Sequence, residues 1–385
     1  MASVRKLKKN DPSSPWIVEY TNPSNGKRVR ATPKSGLKRD AEELRRKIER
    51  EVETGTHIQH SLSPAVAEVV AVWIEVCRKR MLADDMSPET FHSYTGTIRN
   101  HIIPQLGSMK LSTLTLPKLQ AWIDGLAASG KGVATIQYAR LCLKMAISEA
   151  CRLGTVGHNV MAAAPLRLPR ARRPQIVIPT KDEVRKLIAA THMPFRLVVS
   201  TACFTGLRQS EIRGLTWANV DLVEGVITVQ QQAMTRKPLD GKAYGLRRTK
   251  SCAGNRVVAI GEMLREALVE WRTKCPPSHL DLVFPTLAGG PIHVSTFRND
   301  KWIPSLKRAG MLDAEGKPLF HFHALRHVYA TLMIEQGVPP KILQKLMGHA
   351  SIKLTFDRYG HLYEQHEKTR PALGKIDAEF RLEAA

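Results

Sequence analysis

Five side chains near the C-terminus have the types and the spacing that chemistry on a phosphate group requires. They are His323, Arg326, His327, His349 and Tyr359, and a glycine directly precedes His349. In a helix, residues three and four positions apart share a face, so the first three side chains are expected to point the same way. The apolar residues between them would then face a hydrophobic interior.

Each of these groups can contribute to moving a phosphoryl group. The guanidinium of Arg326 offers a planar fork of donors that matches phosphate oxygens. His323 can exchange a proton near neutral pH. Tyr359 can act as a covalent nucleophile once its proton is removed. An arginine, a histidine and a tyrosine together therefore predict phosphoryl transfer onto a tyrosine oxygen.

A second arginine lies earlier in the chain, in the sequence Thr-Gly-Leu-Arg-Gln-Ser-Glu that ends at Glu211. An apolar helix is expected to run into Thr205-Gly206, and a new helix is expected to begin near Arg208. Glu211 lies one helical turn after Arg208. Because an Arg-x-x-Glu pair alone is often an ordinary helical ion pair, this motif is informative only together with the cluster near the C-terminus.

The order H-x-L-R-H, then L-M-G-H, then a tyrosine ten residues after that last histidine resembles the tyrosine recombinases, the phage integrase family. The earlier T-G-L-R-x-S-E sequence resembles the first active-site motif of that family. The resemblance implies that Arg208 and Arg326 stabilise the charge on the phosphorane oxygens, with His349 as a third donor. It also implies that His323 accepts the proton of Tyr359.

Three further residues take roles that the resemblance implies. Lys250 lies at the tip of a predicted β-hairpin between LRRTK and NRVVAI, and it would protonate the leaving 5′-oxygen. Glu211 would support Arg208. His327 would support its helix or orient the phosphate, and it is not assigned a catalytic role. Lys250 could instead be one of several basic residues in this stretch, which include Arg247, Arg248 and Arg256.

The implied reaction is a phosphodiester transesterification in DNA. The tyrosine oxygen attacks the scissile phosphorus and forms a 3′-phosphotyrosyl bond, which releases a 5′-hydroxyl. The 5′-hydroxyl of a second DNA end then reverses the step. Because the protein–DNA ester conserves the bond energy, neither ATP, a metal nor any other cofactor is expected.

The resemblance also implies a biological role and partners. The protein would be a site-specific integrase that integrates and excises a phage or another mobile element. Its substrate would be double-stranded DNA with attachment sites, and its working assembly would be a homotetramer on two duplexes. An excision factor or a host DNA-bending protein would assist it.

The charge of the chain independently favours a polyanionic partner. Of 385 residues, 58 are Lys or Arg and 35 are Asp or Glu, which gives a net charge of +23. Nucleic acid is the first candidate and an anionic membrane surface the second. No apolar run reaches the roughly 18–20 residues that span a bilayer, and the N-terminus lacks the apolar core of a signal peptide. The six cysteines form no C-x-x-C motif, so we expect reduced thiols in a cytoplasmic protein. With DNA as its substrate, the protein is expected at the nucleoid of a bacterial host.

The chain is expected to be multidomain, because 385 residues are many for a single core. Residues 1–56 predict a small α+β module, since an alternating strand pattern, an Asn-Gly turn and a charged helical pattern follow one another. This order resembles the arm-type DNA-binding module of integrases, and a basic hairpin without a specific target is the alternative. The candidate DNA contacts in this module are Lys27, Arg28 and Arg30.

Three further regions complete the expected organisation. Residues 64–165 predict an all-α bundle that resembles the core-binding domain of the family. Residues 166–179 predict a proline-rich basic linker that either follows the DNA backbone or is a solvated tether. Residues 180–385 predict a mainly α catalytic domain with a small antiparallel β-sheet and a C-terminal tail helix. The candidate DNA contacts in the linker are Arg170, Arg172 and Arg173.

Three other functions would explain part of these observations. The first is a metallohydrolase, because a spacing found in zinc sites separates His321, His323 and His327. However, no carboxylate lies in the cluster, and the intervening arginine would repel a cation. A sequence-specific DNA-binding regulator without chemistry would explain the charge but not the spacing of the reactive residues. A type IB topoisomerase shares the chemistry, but the N-terminal module and the short tail after Tyr359 favour recombination.

Overall fold

A computed structural model describes most of the chain, and three predicted site residues, Lys250, Arg172 and Arg173, lie outside the described part. The chain divides into two compact units, residues 1–173 and residues 174–385. The boundary falls inside the segment that the sequence predicts as a linker. The described residues are 2–22, 26–33, 35–53, 63–156, 159–162, 165–170, 177–234, 245–248 and 254–363.

The first unit begins with a three-stranded antiparallel sheet and one helix. These elements are β1 (Ser3–Lys6), β2 (Trp16–Thr21), β3 (Arg28–Ala31) and α1 (Lys38–Glu53). The strand order is β1-β2-β3. Alternation along β2 turns Val18 and Tyr20 toward Ala41 and Ile48 of α1, and all four side chains are buried. The sequence predicted the β2–β3 hairpin and the helix, whereas β1 was missed because its alternation covers only four residues.

The rest of the first unit is a helical bundle. Its helices are α2 (Val66–Leu82), α3 (Pro88–Thr97), α4 (Ile103–Leu106), α5 (Leu116–Ala128) and α6 (Val133–Arg152). One π-helical turn joins α3 to α4 just before Pro104, whose missing N–H and bulky ring do not fit a regular α-helical turn. Trp122 anchors the core, and its indole N–H donates to the carbonyl of His101 at 2.8 Å.

The second unit is mainly helical. Its first helix is fixed by a capping box, in which the backbone N–H of Glu183 donates to Thr180 Oγ1 and the backbone N–H of Thr180 donates to the Glu183 carboxylate. The helices are α7 (Lys181–Ala190), α8 (Phe195–Thr205), α9 (Gln209–Arg213), α10 (Glu262–Lys274), α11 (Val294–Thr296), α12 (Ile303–Ala309), α13 (Ala324–Glu335), α14 (Pro340–Met347) and α15 (Ile352–Tyr363). Among the described helices of both units, none combines the length and the apolar character needed to cross a bilayer.

Five short strands form two small sheets in the second unit. They are β4 (Val220–Asp221), β5 (Val226–Val229), β6 (Gln231–Ala233), β7 (Leu246–Arg248) and β8 (Arg256–Ala259). The predicted hairpin around Lys250 is wrong in its pairing, because β7 pairs with β6 and β8 pairs with β5. Strands β5 and β6 follow each other along the chain and are separated only by Gln230. Strand β5 therefore pairs with β8, while β6 pairs with β7. Local alternation cannot specify which edge a strand selects.

Helix α13 lies between two apolar clusters and thereby positions the predicted reactive residues. Leu325 and Val328 pack into the large core of the second unit. Tyr329 and Ile334 pack into a smaller cluster with α14 and α15. Arg326 is therefore carried into the interior between the two clusters.

Candidate active site

Arg326 is held at the centre of the site by two backbone carbonyls. Its guanidinium is buried, with 2% of the residue exposed, and it donates to the carbonyls of Gly206 and Met347. Gly206 ends α8 in the left-handed conformation, with φ 63°. A Cβ there would lie 2.4 Å from the Tyr329 ring, so glycine allows α8 to approach α13 closely enough for this contact.

Arg208 lies in the turn between α8 and α9. Its Nη1 donates to Glu211 Oε1 at 2.7 Å, and its Nη2 donates to the carbonyl of Gly348 at 2.9 Å. The Glu211 carboxylate also accepts the backbone N–H of Arg208, which closes the first turn of α9. The side chain of Arg208 is 35% exposed, so its guanidinium is accessible to a ligand.

Arg256 is a third arginine of the site that the sequence did not single out. Its Nη2 donates to Glu211 Oε2 at 2.8 Å, and its Nε donates to the carbonyl of Leu346 at 2.7 Å. A signal was present in the sequence, because Arg256 and the buried Val258 share a face of β8. A charged residue at a core-facing strand position indicates a partner in the interior.

The C-terminal end of α14 gathers these three arginines. The carbonyls of the last helical turn lack intrahelical partners, and they carry the negative end of the helix dipole. Gly348 continues the chain in the left-handed conformation, with φ 59°, and exposes those carbonyls to one side. Three consecutive carbonyls accept arginine donors: Leu346 from Arg256, Met347 from Arg326, and Gly348 from Arg208.

Burial and neighbouring charges shift the pKa values of Glu211 and Arg326. Burial would raise the pKa of Glu211, but its hydrogen bonds with Arg256 and the nearby Arg208 charge outweigh burial and lower the pKa to about 2. Burial, followed by the neighbouring Arg208 charge, lowers the pKa of Arg326 to about 9. At neutral pH the site therefore holds an ionised carboxylate among protonated guanidiniums, with an excess of positive charge.

Tyr359 reaches this site from α15 and contacts His327. The phenol oxygen and His327 Nδ1 lie 2.6 Å apart and share a hydrogen bond. Both residues are buried, and Tyr359 is 1% exposed. Tyr359 also lies close enough to the Arg326 guanidinium to interact with its charge, so the tyrosine belongs to the same site as the arginines.

The predicted proton acceptor differs from the residue that the hydroxyl contacts. The sequence assigned the acceptor role to His323 and a supporting role to His327. Helix α13 begins at Ala324, so His323 lies at the exposed helix start, whereas His327 is one turn further in and buried. The two imidazole rings are 5.3 Å apart and perpendicular. The catalytic role of His323 stays a prediction.

His349 connects the end of α14 to the helix of the tyrosine. Its Nδ1 lies 2.9 Å from Thr355 Oγ1, and both residues are buried. Thr355 and Tyr359 are four residues apart on α15 and therefore share a face. The sequence did not predict Thr355, because a threonine in a helix carries no signal for such a contact.

The predicted DNA contacts are at the surface where they are described. Lys27, Arg28, Arg30 and Arg170 are exposed. Arg30 forms an ion pair with Glu19, which Arg5 of β1 also contacts. Among the described residues, no three His, Cys, Asp or Glu side chains are grouped as a metal site requires.

Comparison with known proteins identifies relatives over both units. A model of the phage integrase family matches residues 179–366, and a model of the phage integrase N-terminal SAM-like domain matches residues 65–127. A tyrosine recombinase XerC-like protein of Caldanaerobacter subterraneus subsp. tengcongensis is 27% identical over 362 residues, covering 88% of this chain and 89% of that protein. The integrase of Salmonella phage P22 is 25% identical over 394 residues, covering 91% and 90% of the two chains.

Solved structures share the fold. The Tn1549 transposon integrase in complex with transposon right end DNA aligns with a TM-score of 0.67 at 20% identity, over 81% of this chain and 99% of that chain. A lambda integrase dimer bound to a COC′ core site aligns with a TM-score of 0.57 at 20% identity, over 90% and 92%. The predicted fold class is confirmed. The chain belongs to the phage integrase family, the tyrosine recombinases.

Proposed function

We propose that this protein is a site-specific DNA integrase that cuts and rejoins DNA strands through a covalent bond to Tyr359. Arg208 and Arg326, which are far apart in sequence, donate to the adjacent carbonyls of Gly348 and Met347. The hydroxyl of Tyr359 bonds to His327, and Tyr359 lies close enough to Arg326 to interact with its charge. Two guanidiniums and a phenol thus converge as attack on one phosphate requires.

The arginines supply the electrostatic part of the reaction. Attack on a phosphodiester builds charge on the non-bridging oxygens, and fixed donors stabilise that charge because they need not reorganise. Arg208 is the accessible donor, and Arg326 is its buried neighbour with a fixed orientation. His349 is the proposed third donor, and its bond to Thr355 orients its ring. Removal of one such donor typically costs about 100- to 1,000-fold in rate.

The proton of Tyr359 has a short route outward. We assign the first acceptor to His327, whose Nδ1 already bonds to the hydroxyl. His323, with its ring 5.3 Å from that of His327, is exposed and is the next acceptor toward solvent. Because Tyr359 is 1% exposed, its oxygen must move outward to reach a DNA phosphorus, and it does so after passing its proton to His327.

The chemical steps balance without a cofactor. The Tyr359 oxygen forms a bond to the scissile phosphorus, and the bond from that phosphorus to the 5′-oxygen breaks. Lys250 is the proposed donor of the proton that the 5′-oxygen takes. The 5′-hydroxyl of a second DNA end then gives its proton to Lys250 and attacks the phosphotyrosyl phosphorus, and the phenolate leaves and takes back the proton that the histidines had accepted.

The partners of the reaction follow from charge and family. The substrate is double-stranded DNA with attachment sites, and the working assembly is a homotetramer that joins two duplexes. A host DNA-bending protein or an excision factor sets the direction of recombination. In the N-terminal module, Lys27, Arg28 and Arg30 are exposed cations that fit a DNA backbone.

Covalent trapping tests this function. The protein is incubated with a nicked duplex that spans the junction of the element and its target, so that cleavage releases a short strand and cannot reverse. Wild type is expected to form an adduct that survives denaturant and chelator. Tyr359→Phe should bind the duplex without forming the adduct, whereas the neighbouring Tyr363→Phe should retain it. Binding without an adduct in the wild type would favour the DNA-binding regulator.

A further inference from the structure

Arg256 connects three parts of the site and does so from the interior. Its guanidinium bonds to Glu211 of α9, to the carbonyl of Leu346 in α14, and to the carbonyl of Gly254 just before its own strand. Its side chain is 4% exposed, compared with 35% for Arg208. A group so enclosed does not reach a DNA phosphate.

We propose that Arg256 is a positioning residue for strand cleavage, which acts by holding Glu211 and the end of α14 so that Arg208 faces the phosphate. This inference rests on the proposed function. Arg256 bonds to both oxygens of the Glu211 carboxylate, with Nη2 on Oε2 at 2.8 Å and Nη1 on Oε1 at 3.1 Å, and Arg208 Nη1 shares Oε1 at 2.7 Å. Each arginine thereby limits how the other can bind the shared carboxylate.

The consequence of losing Arg256 follows from the burial of that carboxylate. Glu211 is 3% exposed, so water cannot replace a lost partner. Without Arg256, Arg208 would be the arginine left to balance the charge of the Glu211 carboxylate. The Arg208 fork would then bind both carboxylate oxygens and turn away from the carbonyl of Gly348 and from the substrate.

The bond from Arg256 to the carbonyl of Leu346 positions the C-terminal end of α14. Leu346 lies two residues before Gly348 and three before His349, so its carbonyl sets where α14 ends. Arg256 is the donor that fixes this carbonyl from β8. Lysine at this position would keep the charge but could not span two carbonyls and a carboxylate, because it lacks the planar fork.

The test measures cleavage by the bound complex separately from binding and folding. Single-turnover cleavage of the nicked duplex is followed at saturating protein for wild type, Arg256→Met, Arg256→Lys, Glu211→Gln and the Glu211→Gln/Arg256→Met double variant. Arg265→Met is the matched control, because Arg265 also bonds to a glutamate and to a carbonyl but lies at the surface of α10. Thermal unfolding and the Kd for the duplex are recorded for each protein.

Arg256→Met is expected to lower the first-order cleavage rate by about 10- to 100-fold, by analogy with the loss of partners that orient the ligands of a metal site. The Kd should stay within about threefold of the wild-type value, because Arg256 does not contact DNA. Arg256→Lys should be intermediate, and Arg265→Met should cleave like wild type. In the double variant, neither member of the Glu211–Arg256 pair is left as an uncompensated charge, so its loss of rate should be smaller than the product of the two single losses.

Wild-type cleavage by bound Arg256→Met would overturn the inference and leave the proposed function intact. Additive losses in the double variant would also overturn it, because Arg256 would then act independently of Glu211. If Arg256→Met does not fold, Arg256→Lys gives the decision, because it keeps the charge without the fork, and wild-type cleavage by bound Arg256→Lys would overturn the inference. Absence of an adduct in the wild type would instead refute the proposed function, and the inference with it.

Discussion

Two regions of this molecule each place one glutamate between two arginines, and they differ in burial. In the active site, Glu211 bonds to Arg208 and Arg256 and is 3% exposed. In the N-terminal module, the Glu19 side chain is 18% exposed and bonds to Arg5 and Arg30, which are 41% and 60% exposed. The buried cluster fixes donors in one geometry, whereas the surface cluster keeps cations available to a partner.

An arginine–glutamate pair contributes differently at the surface and in the interior. At the surface, water screens the pair and competes for its donors, so neither arginine is tightly positioned. In the interior, each donor needs a partner, and the carbonyls at the end of α14 provide it. Equivalent substitutions in the two clusters should therefore have very different effects.

The largest difference should appear when one arginine is removed from each cluster. Arg208→Met removes an accessible donor but leaves Glu211 paired with Arg256, so the fold should persist. We expect the single-turnover cleavage rate to fall about 100- to 1,000-fold. Arg5→Met, which removes an arginine with the same kind of partner, should cleave a core site at the wild-type rate. A comparable loss in Arg5→Met would contradict the contrast.

The pH dependence of stability should also separate the clusters. The pKa of Glu211 is lowered from 4.5 to about 2. A lowered carboxyl pKa stabilises the folded state fully above the unfolded value and progressively less as the pH falls toward the folded value. Wild type should exceed Glu211→Gln by about 3 kcal/mol at pH 7, and this gap should shrink as the pH falls from 4.5 to 2.

Guanidinium titrations at pH 7, 5 and 3 measure that gap, with Glu19→Gln as the control. The pKa of Glu19 is also lowered to about 2, first by its hydrogen bond with Arg5 and then by that with Arg30. Because this pair lies at the surface, the gap for Glu19→Gln should be small at every pH. A pH-independent gap for Glu211→Gln would show that the buried pair is not what stabilises the fold.

A smaller effect on stability is expected from substitution of the glycines that follow α8 and α5. Gly206 and Gly130 both follow helices with positive φ, but a Cβ on Gly206 would lie 2.4 Å from Tyr329, whereas Gly130 faces open space. Gly206→Ala should destabilise the protein by about 2–3 kcal/mol, and Gly130→Ala by about 1 kcal/mol. Thermal unfolding measures both effects. Equal losses would indicate that Gly206 is needed for its backbone conformation alone.

The smallest effect should come from the exposed strand of the N-terminal module. Arg28→Met is expected to reduce by about 1 the slope of log affinity against log salt for attachment-site DNA, as for one lost phosphate contact. Arg39→Met in α1, with a side chain 92% exposed, is the matched control. Fluorescence anisotropy at several salt concentrations measures the slopes. Equal changes in both variants would mean that net charge, rather than the strand, binds the DNA.

Much of the architecture was predictable from local patterns. The helix spacing, the capping box at Thr180 and the β2–β3 hairpin are encoded within short stretches, and the predicted fold class and family are confirmed. The pairing of β7 and β8 was mispredicted, because a strand three or four residues long can pair with any adjacent edge.

The site was predictable in its residue types but not in its contacts. Motifs identified Arg208, Arg326 and Tyr359, and these lie together. The contact of Tyr359 with His327 depends on where α13 begins, since that boundary leaves His323 exposed and turns His327 inward. The role of Arg256 depends on a backbone carbonyl at the end of α14. Every residue has a carbonyl, so the sequence cannot indicate which of them accepts the bond.

Mass spectrometry of the covalent adduct identifies the residue that attacks the DNA phosphorus. Trypsin cleavage after Arg358 and Lys368 should yield a peptide that contains both Tyr359 and Tyr363, so fragmentation must distinguish them. The adduct isolated from a nicked duplex should carry its 3′-phosphonucleotide on Tyr359. A nucleotide on Tyr363 or on any other residue would contradict this prediction.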